Sequence, residues 1–201
     1  MKEHELHNYK LVLQYEGIRY NGWQKQKNQE NTIQEVVENA VFDGTGERVE
    51  VIGSGRTDAG THAMGQVANV KLGQDLEPER LMDNINKHLP SDIKILECEK
   101  VDNRFHARLN AKAKTYMYTL CVGKKPDVFN RRTVLHYCAD LDVNAMKKAA
   151  EYLKGEHDFM SFCSNKRTKK STVRKIYDIE IIKDGDEISF IFKGNGFLYN
   201  M

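Results

Sequence analysis

The stretch Val49-Glu50-Val51-Ile52-Gly53-Ser54-Gly55-Arg56-Thr57-Asp58-Ala59-Gly60-Thr61-His62-Ala63-Met64-Gly65-Gln66-Val67-Ala68-Asn69-Val70-Lys71 decides most of what can be read from this sequence. Val49 to Ile52 has the β-branched character of a short strand, and Gln66 to Lys71 reads as its successor. Between them runs a glycine-rich segment holding one Arg and one Asp. Residues two apart in an extended segment point the same way, so Arg56 can hold the Asp58 carboxylate ionised through charge-assisted hydrogen bonds. The flanking glycines let the backbone turn sharply and let a bulky ligand come close. From the residues alone two readings stand: a structural Arg-Asp brace pinning a turn, or a carboxylate serving as nucleophile or general base.

Working outward, Tyr9 to Tyr15 alternates apolar and polar residues as a strand does. Asn31 or Thr32 can cap a helix through about Asp43, with Ile33, Val36, Val37, Ala40 and Val41 as its apolar stripe and Glu35 at capping-box spacing from Thr32. Pro78 opens a second helix through about His88, stopped by Pro90, and Ile93 to Val101 is another strand. The pattern then begins again. Ala113 to Val122 and Val134 to Tyr137 read as strands, and Asp142 to Lys154 as a helix closed by Gly155. Val173 to Ile182 and Glu187 to Phe192 form a hairpin across Lys183-Asp184-Gly185-Asp186. This is expected to be an α+β protein of two related subdomains, residues 1–104 and 105–201, sharing a mixed, mostly antiparallel sheet that runs through both, with helices on one face. Gly194 to Met201 reads as the opening of a further element without a terminator, so the sequence is expected to be a piece of a longer chain.

At 201 residues, 40% apolar and 30% charged, the chain has the make-up of an ordinary globular protein. No stretch approaches the roughly 20 apolar residues of a membrane span, and residues 1–8 have no apolar core of a signal peptide. Cys98, Cys121, Cys138 and Cys163 are too widely spaced for a metal knuckle and fit thiols in a reducing cytoplasm. His62, His88, His106, His136 and His157 are scattered, with no metal-binding pair among them. A net charge of +2 names no partner, but its distribution is uneven. Arg104, Arg108, Lys112, Lys114, Lys124 and Lys125 form one acid-free block, and Lys166, Arg167, Lys169, Lys170, Arg174 and Lys175 form another. Such blocks suit a polyanion, or equally a pair of solvated edges where Lys guards against aggregation.

The run from Gly53 to Ala63, continuing to Gln66, closely resembles the signature of the TruA family of tRNA pseudouridine synthases, GRTDAGVHA, with Thr61 in place of the usual Val. The resemblance covers most of the chain. It includes Tyr9-Lys10-Leu11, Tyr15-Glu16-Gly17, Gly22-Trp23-Gln24 and Thr32-Ile33-Gln34-Glu35. Further on it takes in Asn86, Leu89-Pro90, Asp92-Ile93, and Phe105-His106-Ala107-Arg108 with the run Ala111 to Tyr118. It closes with Gly155 to Phe159, Ser161-Phe162 and Gly194 to Leu198.

The resemblance implies a pseudouridine synthase fold built of ferredoxin-like halves, with the first subdomain catalytic. It implies isomerisation of uridine in the anticodon stem-loop of tRNA, at positions 38 to 40, by a homodimer in the cytoplasm. Asp58 matches the family's catalytic aspartate. Tyr116 matches a tyrosine that packs on the target base, and Arg56 an arginine that pairs with the aspartate and helps hold the flipped nucleotide. A basic residue that approaches the aspartate in the family would follow Met201. No metal or organic cofactor is expected, because the reaction breaks C1′–N1, turns the uracil and forms C1′–C5 without redox change. Asp58 could attack ribose or uracil, or take a sugar proton. The basic residues, Lys166, Arg167, Lys169 and Lys170 above all, would contact the RNA backbone. The same chemistry on ribosomal RNA, a silent RNA-binding module and an aspartyl phosphotransferase or hydrolase are the alternatives. The silent module is disfavoured by the presence of Asp58 and Tyr116. The phosphotransferase or hydrolase is disfavoured by the lack of a second carboxylate or metal cluster.

Overall fold

A computed structural model describes residues 6–27, 30–122, 128–164 and 171–201. The chain forms two units, Met1–Ala111 and Lys112–Met201.

The first unit contains β1 (His7–Tyr15), α1 (Ile33–Thr45), β2 (Val51–Gly53), β3 (Ala63–Leu72), α2 (Pro78–Asn86) and β4 (Ile93–Val101). Its four strands are antiparallel in the order β2-β3-β1-β4. Tyr9, Leu11, Leu13 and Tyr15 alternate along β1, and all are buried. The alternation turns one face of the sheet into a core. Ile33, Val37, Ala40 and Val41 of α1, with Leu81 and Ile85 of α2, join that core. α1 starts where expected, because the Thr32 hydroxyl accepts the Glu35 N–H at 3.4 Å; it ends at Gly46, whose φ of +79° suits the left-handed C-cap. β3 begins earlier than the sequence suggested, since its pairing with β1 resumes past an irregularity and reaches Tyr15–Ala63.

Asn8 points away from the core residues that flank it on β1 and is nevertheless buried, as is Asn69. Asn69 Nδ2 donates to Asn8 Oδ1 at 3.0 Å, and Asn8 Nδ2 donates to the carbonyls of Asp102 and Phe105 at 2.9 Å each. The Ala107 N–H in turn donates to Asn69 Oδ1 at 2.9 Å. These bonds tie residues 102–107 to the first sheet, so the division between units falls after Ala111 and not after Arg104.

The second unit contains β5 (Lys114–Cys121), β6 (Val134–His136), α3 (Val143–Glu151), β7 (Gly155–Asp158), β8 (Val173–Asp184) and β9 (Glu187–Gly194). Its strand order is β6-β5-β9-β8-β7, antiparallel except for the parallel β5–β6 pair. The Asp142 carboxylate caps α3 by accepting the Ala145 N–H at 2.9 Å. Ala150 of α3 packs with Phe159, Ile176, Ile179, Ile181 and Ile188. The hairpin turns at Gly185, φ +58°, as its sequence implied. β7, Gly-Glu-His-Asp, has no apolar alternation to reveal it; pairing with Val173–Ile176 makes it a strand. The strands thus group as a four-stranded and a five-stranded sheet, both dominated by antiparallel pairing, in keeping with the α+β class. No helix among the described residues is long and apolar enough to cross a membrane.

All four cysteines are free thiols, and they differ in access: Cys138 is exposed, whereas Cys163 is buried. Burial pushes the Cys98 thiol up to about 11. At pH 8 only about one Cys98 in a thousand is then thiolate, the form that reacts. Iodoacetamide at pH 8 should label Cys138 first and spare Cys98 until the chain unfolds, as read by peptide mass mapping. Equal labelling rates would contradict this packing.

Candidate active site

The glycine-rich run between β2 and β3 is fixed at each step. The Ser54 N–H donates to the Val67 carbonyl at 2.7 Å, and Gln66 Nε2 donates to the Gly55 carbonyl at 2.6 Å. The Thr57 carbonyl accepts the Trp23 N–H at 3.0 Å, and its hydroxyl shares a 2.9 Å hydrogen bond with that of Tyr15. The Thr61 N–H donates back to the Asp58 carbonyl at 3.1 Å, closing a four-residue turn with Gly60 at φ +80°. A positive φ at the third position is the reason that turn takes glycine. The Gly60 N–H reaches the Tyr20 carbonyl at 3.3 Å. Tyr20 is itself anchored, its hydroxyl donating to Asp92 Oδ1 at 2.6 Å, and Arg19 stands 3.2 Å from the other carboxylate oxygen.

Close approach makes this seat possible. A Cβ on Gly17 would overlap the Thr61 carbonyl oxygen, and one on Gly53 would lie 2.5 Å from the Trp23 indole. The loop therefore sits directly on residues 15–23, the segment that leaves β1. At its tip Asp58 is exposed to solvent, and no side chain among the described residues hydrogen-bonds or pairs with its carboxylate.

The pair that the sequence suggested between Arg56 and Asp58 is not formed. Arg56 Nε donates instead to Gln24 Oε1 at 3.2 Å. The rule that residues two apart share a face holds for extended backbone, and here the chain is already entering the turn at Asp58. Tyr116 lies on β5 of the second unit, across from Phe192, and is 37% exposed. Phe197 meets its ring edge-on at 4.9 Å between centroids. Asp58 and Arg56 belong to the first unit. Lys166, Arg167, Lys169 and Lys170 lie outside the described residues; Arg104 and Arg108 of the other basic block are exposed.

Sequence reasoning gave no role to Tyr15, Tyr20, Gln24 or Gln34, all of which support this loop directly or at one remove. Gln34 did leave a sign. It falls three and seven residues before Val37 and Val41, on the buried stripe of α1, and an amide there calls for partners.

A family model described as tRNA pseudouridine synthase matches residues 11–110 and 149–201. The chain belongs to the tRNA pseudouridine synthase family. Members of this family are isomerases. Among its relatives, tRNA pseudouridine synthase A 2 of Bacillus cereus (strain ATCC 10987 / NRS 248) is 43% identical over 196 residues, spanning 98% of this chain and 80% of the relative. The tRNA pseudouridine synthase A of Bacillus sp. (strain KSM-64) is 44% identical over 196 residues, and that of Acetivibrio thermocellus (strain ATCC 27405) is 41% identical, with the same shares covered. The family match takes in the whole Asp58 loop and the segment that seats it, while Tyr116 falls between the two matched stretches.

Trp23 is the chain's one tryptophan and is 2% exposed, so its emission reports on this seat. Gly53→Ala should push the indole out of place, red-shift its emission and destabilise the first unit by about 1–3 kcal/mol, the usual range for overpacking. Unchanged emission and melting temperature would show that the loop is not held in this way.

Proposed function

We propose that this protein isomerises uridine to pseudouridine in the anticodon stem-loop of tRNA, at positions 38 to 40, flipping the base out and acting on it with Asp58. The observation that carries this reading is the exposed Asp58 carboxylate at the tip of a rigidly seated loop, inside the stretch matched by the family.

The chemistry fits a lone carboxylate. C1′–N1 breaks and C1′–C5 forms; C5 gives up one proton and N1 gains one, so atoms and electrons balance without an oxidant. Extruding the base costs a few kcal/mol. Stacking on an exposed aromatic ring such as Tyr116 returns about 1–3 kcal/mol per base. Asp58 is reachable by a flipped nucleotide because nothing on the chain covers it among the described residues. Arg56 supplies positive charge two residues away for the sugar-phosphate oxygens. The exposed Arg104 and Arg108, with Lys166, Arg167, Lys169 and Lys170, give the polyanion its backbone contacts and read no bases. A homodimer acting in the cytoplasm belongs to the same reading, supported by the resemblance.

Incubating the protein with unmodified tRNA, then mapping pseudouridines by carbodiimide-blocked primer extension, should show stops at positions 38 to 40. Asp58→Ala should keep tRNA affinity and lose conversion by at least about a hundredfold, the lower range for removing a catalytic acid or base. Conversion near the unaltered rate would remove Asp58 from the reaction, and stops confined to other positions would overturn the choice of target. Replacing Lys166, Arg167, Lys169 and Lys170 by Gln should flatten the dependence of log affinity on log salt by roughly 0.7–0.9 for each phosphate that is no longer neutralised. An unchanged slope would take that segment out of the RNA interface.

A further inference from the structure

Arg56 is the end of a hydrogen-bonded chain that begins inside the first unit. The Glu38 carboxylate, on α1, is largely shielded from solvent; its Oε2 pairs with Lys25 Nζ at 3.1 Å, and its Oε1 accepts the Val51 N–H at 3.2 Å. Gln34, one helical turn earlier and 3% exposed, donates from Nε2 to Glu38 Oε1 at 2.9 Å. Gln34 Oε1 accepts both the Lys25 N–H at 2.9 Å and Gln24 Nε2 at 2.6 Å. Gln24 Oε1 then accepts Arg56 Nε at 3.2 Å.

The chain has only one possible direction. A carboxylate accepts and cannot donate, so Gln34 must turn its NH2 toward Glu38 and its oxygen toward Gln24. Gln24 must answer with its own NH2, which leaves its oxygen facing Arg56. Each amide is thereby fixed in orientation by the charge behind it, and the last acceptor meets the one guanidinium nitrogen that is not at the fork. The terminal Nη atoms of Arg56 have no hydrogen-bond or ion-pair partner among the described residues. The residue is held by its stem, and its two-pronged end is open.

We propose that Gln24 and Gln34 are positioning residues, which hold Arg56 by Nε so that its free fork grips a phosphate of the bound RNA. This rests on the reading of the protein as a tRNA-modifying enzyme. A planar fork matches two phosphate oxygens at once, but only when the guanidinium plane is set beforehand. An amide held in orientation by the buried Gln34 fixes that plane from behind, whereas Arg56 on an open loop would lose conformational freedom with each RNA bound.

The test is a double-mutant cycle on tRNA conversion. Gln24→Leu and Gln34→Met are made singly, and each is combined with Arg56→Ala; kcat, KM and the salt dependence of tRNA binding are measured. Each single variant should lower kcat/KM roughly tenfold and reduce the salt slope by the same amount as Arg56→Ala, the equivalent of about one neutralised phosphate. On the Arg56→Ala background neither should cost anything more. Independent losses that multiply, or a salt slope unmoved in the single variants, would overturn the proposal and leave the two glutamines as internal staples. Gln24 is only half-buried, so its variant keeps the cycle readable if Gln34→Met fails to fold, as judged by melting and Trp23 emission. Asp58→Ala in the same assay separates the two levels. If Asp58→Ala is inactive while both glutamine variants match the unaltered protein, the relay alone falls. If the unaltered protein makes no pseudouridine in tRNA, the functional reading falls and takes the relay with it.

Discussion

Two backbone hydrogen bonds set the position of everything chemical in the first unit: Trp23 N–H to the Thr57 carbonyl, and Gly60 N–H to the Tyr20 carbonyl. They lash the loop after β2 to the segment leaving β1, and they form only because glycine stands at Gly17, Gly22 and Gly53, where backbone or indole atoms come too close for any side chain. Since β1 is an inner strand of the sheet, the loop inherits the rigidity of the core and is not merely attached to the rim. An acidic residue presented this way has its backbone held in place while its carboxylate stays open to solvent.

That arrangement separates two duties that one loop residue cannot perform alone. Holding the loop falls to Tyr15, Tyr20 and Trp23, which are buried. The proposed contacts with a ligand fall to Asp58 and Arg56, which are exposed. Preorganisation of this kind matters most for a reaction that moves one proton and swaps one bond, where the protein contributes placement more than reagents. The stretch from 11 to 110 matched by the tRNA pseudouridine synthase family contains both the buried residues that hold the loop and the exposed Asp58 and Arg56.

The parts of the fold that follow from periodicity were legible in the sequence. The alternation of Tyr9, Leu11, Leu13 and Tyr15 marked β1, and the start of α1, placed at Asn31 or Thr32, falls at Thr32. β7 was hidden because its residues carry no pattern of their own and become a strand only through pairing with β8. The boundary between units was misplaced by a few residues because two buried asparagines hold residues 102–107, an effect no local signal encodes. In the site, Asp58 stood out through its glycines and the family motif. Its expected partner did not follow, since the direction of the Arg56 side chain depends on Gln24, which is distant in sequence and adjacent only after folding.

The asparagine pair has a consequence for how the first sheet finds its alignment. Alternating apolar residues distinguish a correct pairing from one displaced by a single residue, which would turn every buried side chain outward. They cannot distinguish it from a displacement by two, which returns the same faces to the same sides. Asn8 and Asn69 remove that ambiguity. They are diagonal neighbours across β1 and β3, and each is satisfied only by the other and by the strap of chain that covers them. Sliding either strand by two residues would strand both amides away from water, at roughly 1–3 kcal/mol for each group left unpaired. The apolar face thus makes the sheet cohere, and a small polar cluster on its reverse selects which of the coherent alignments is native.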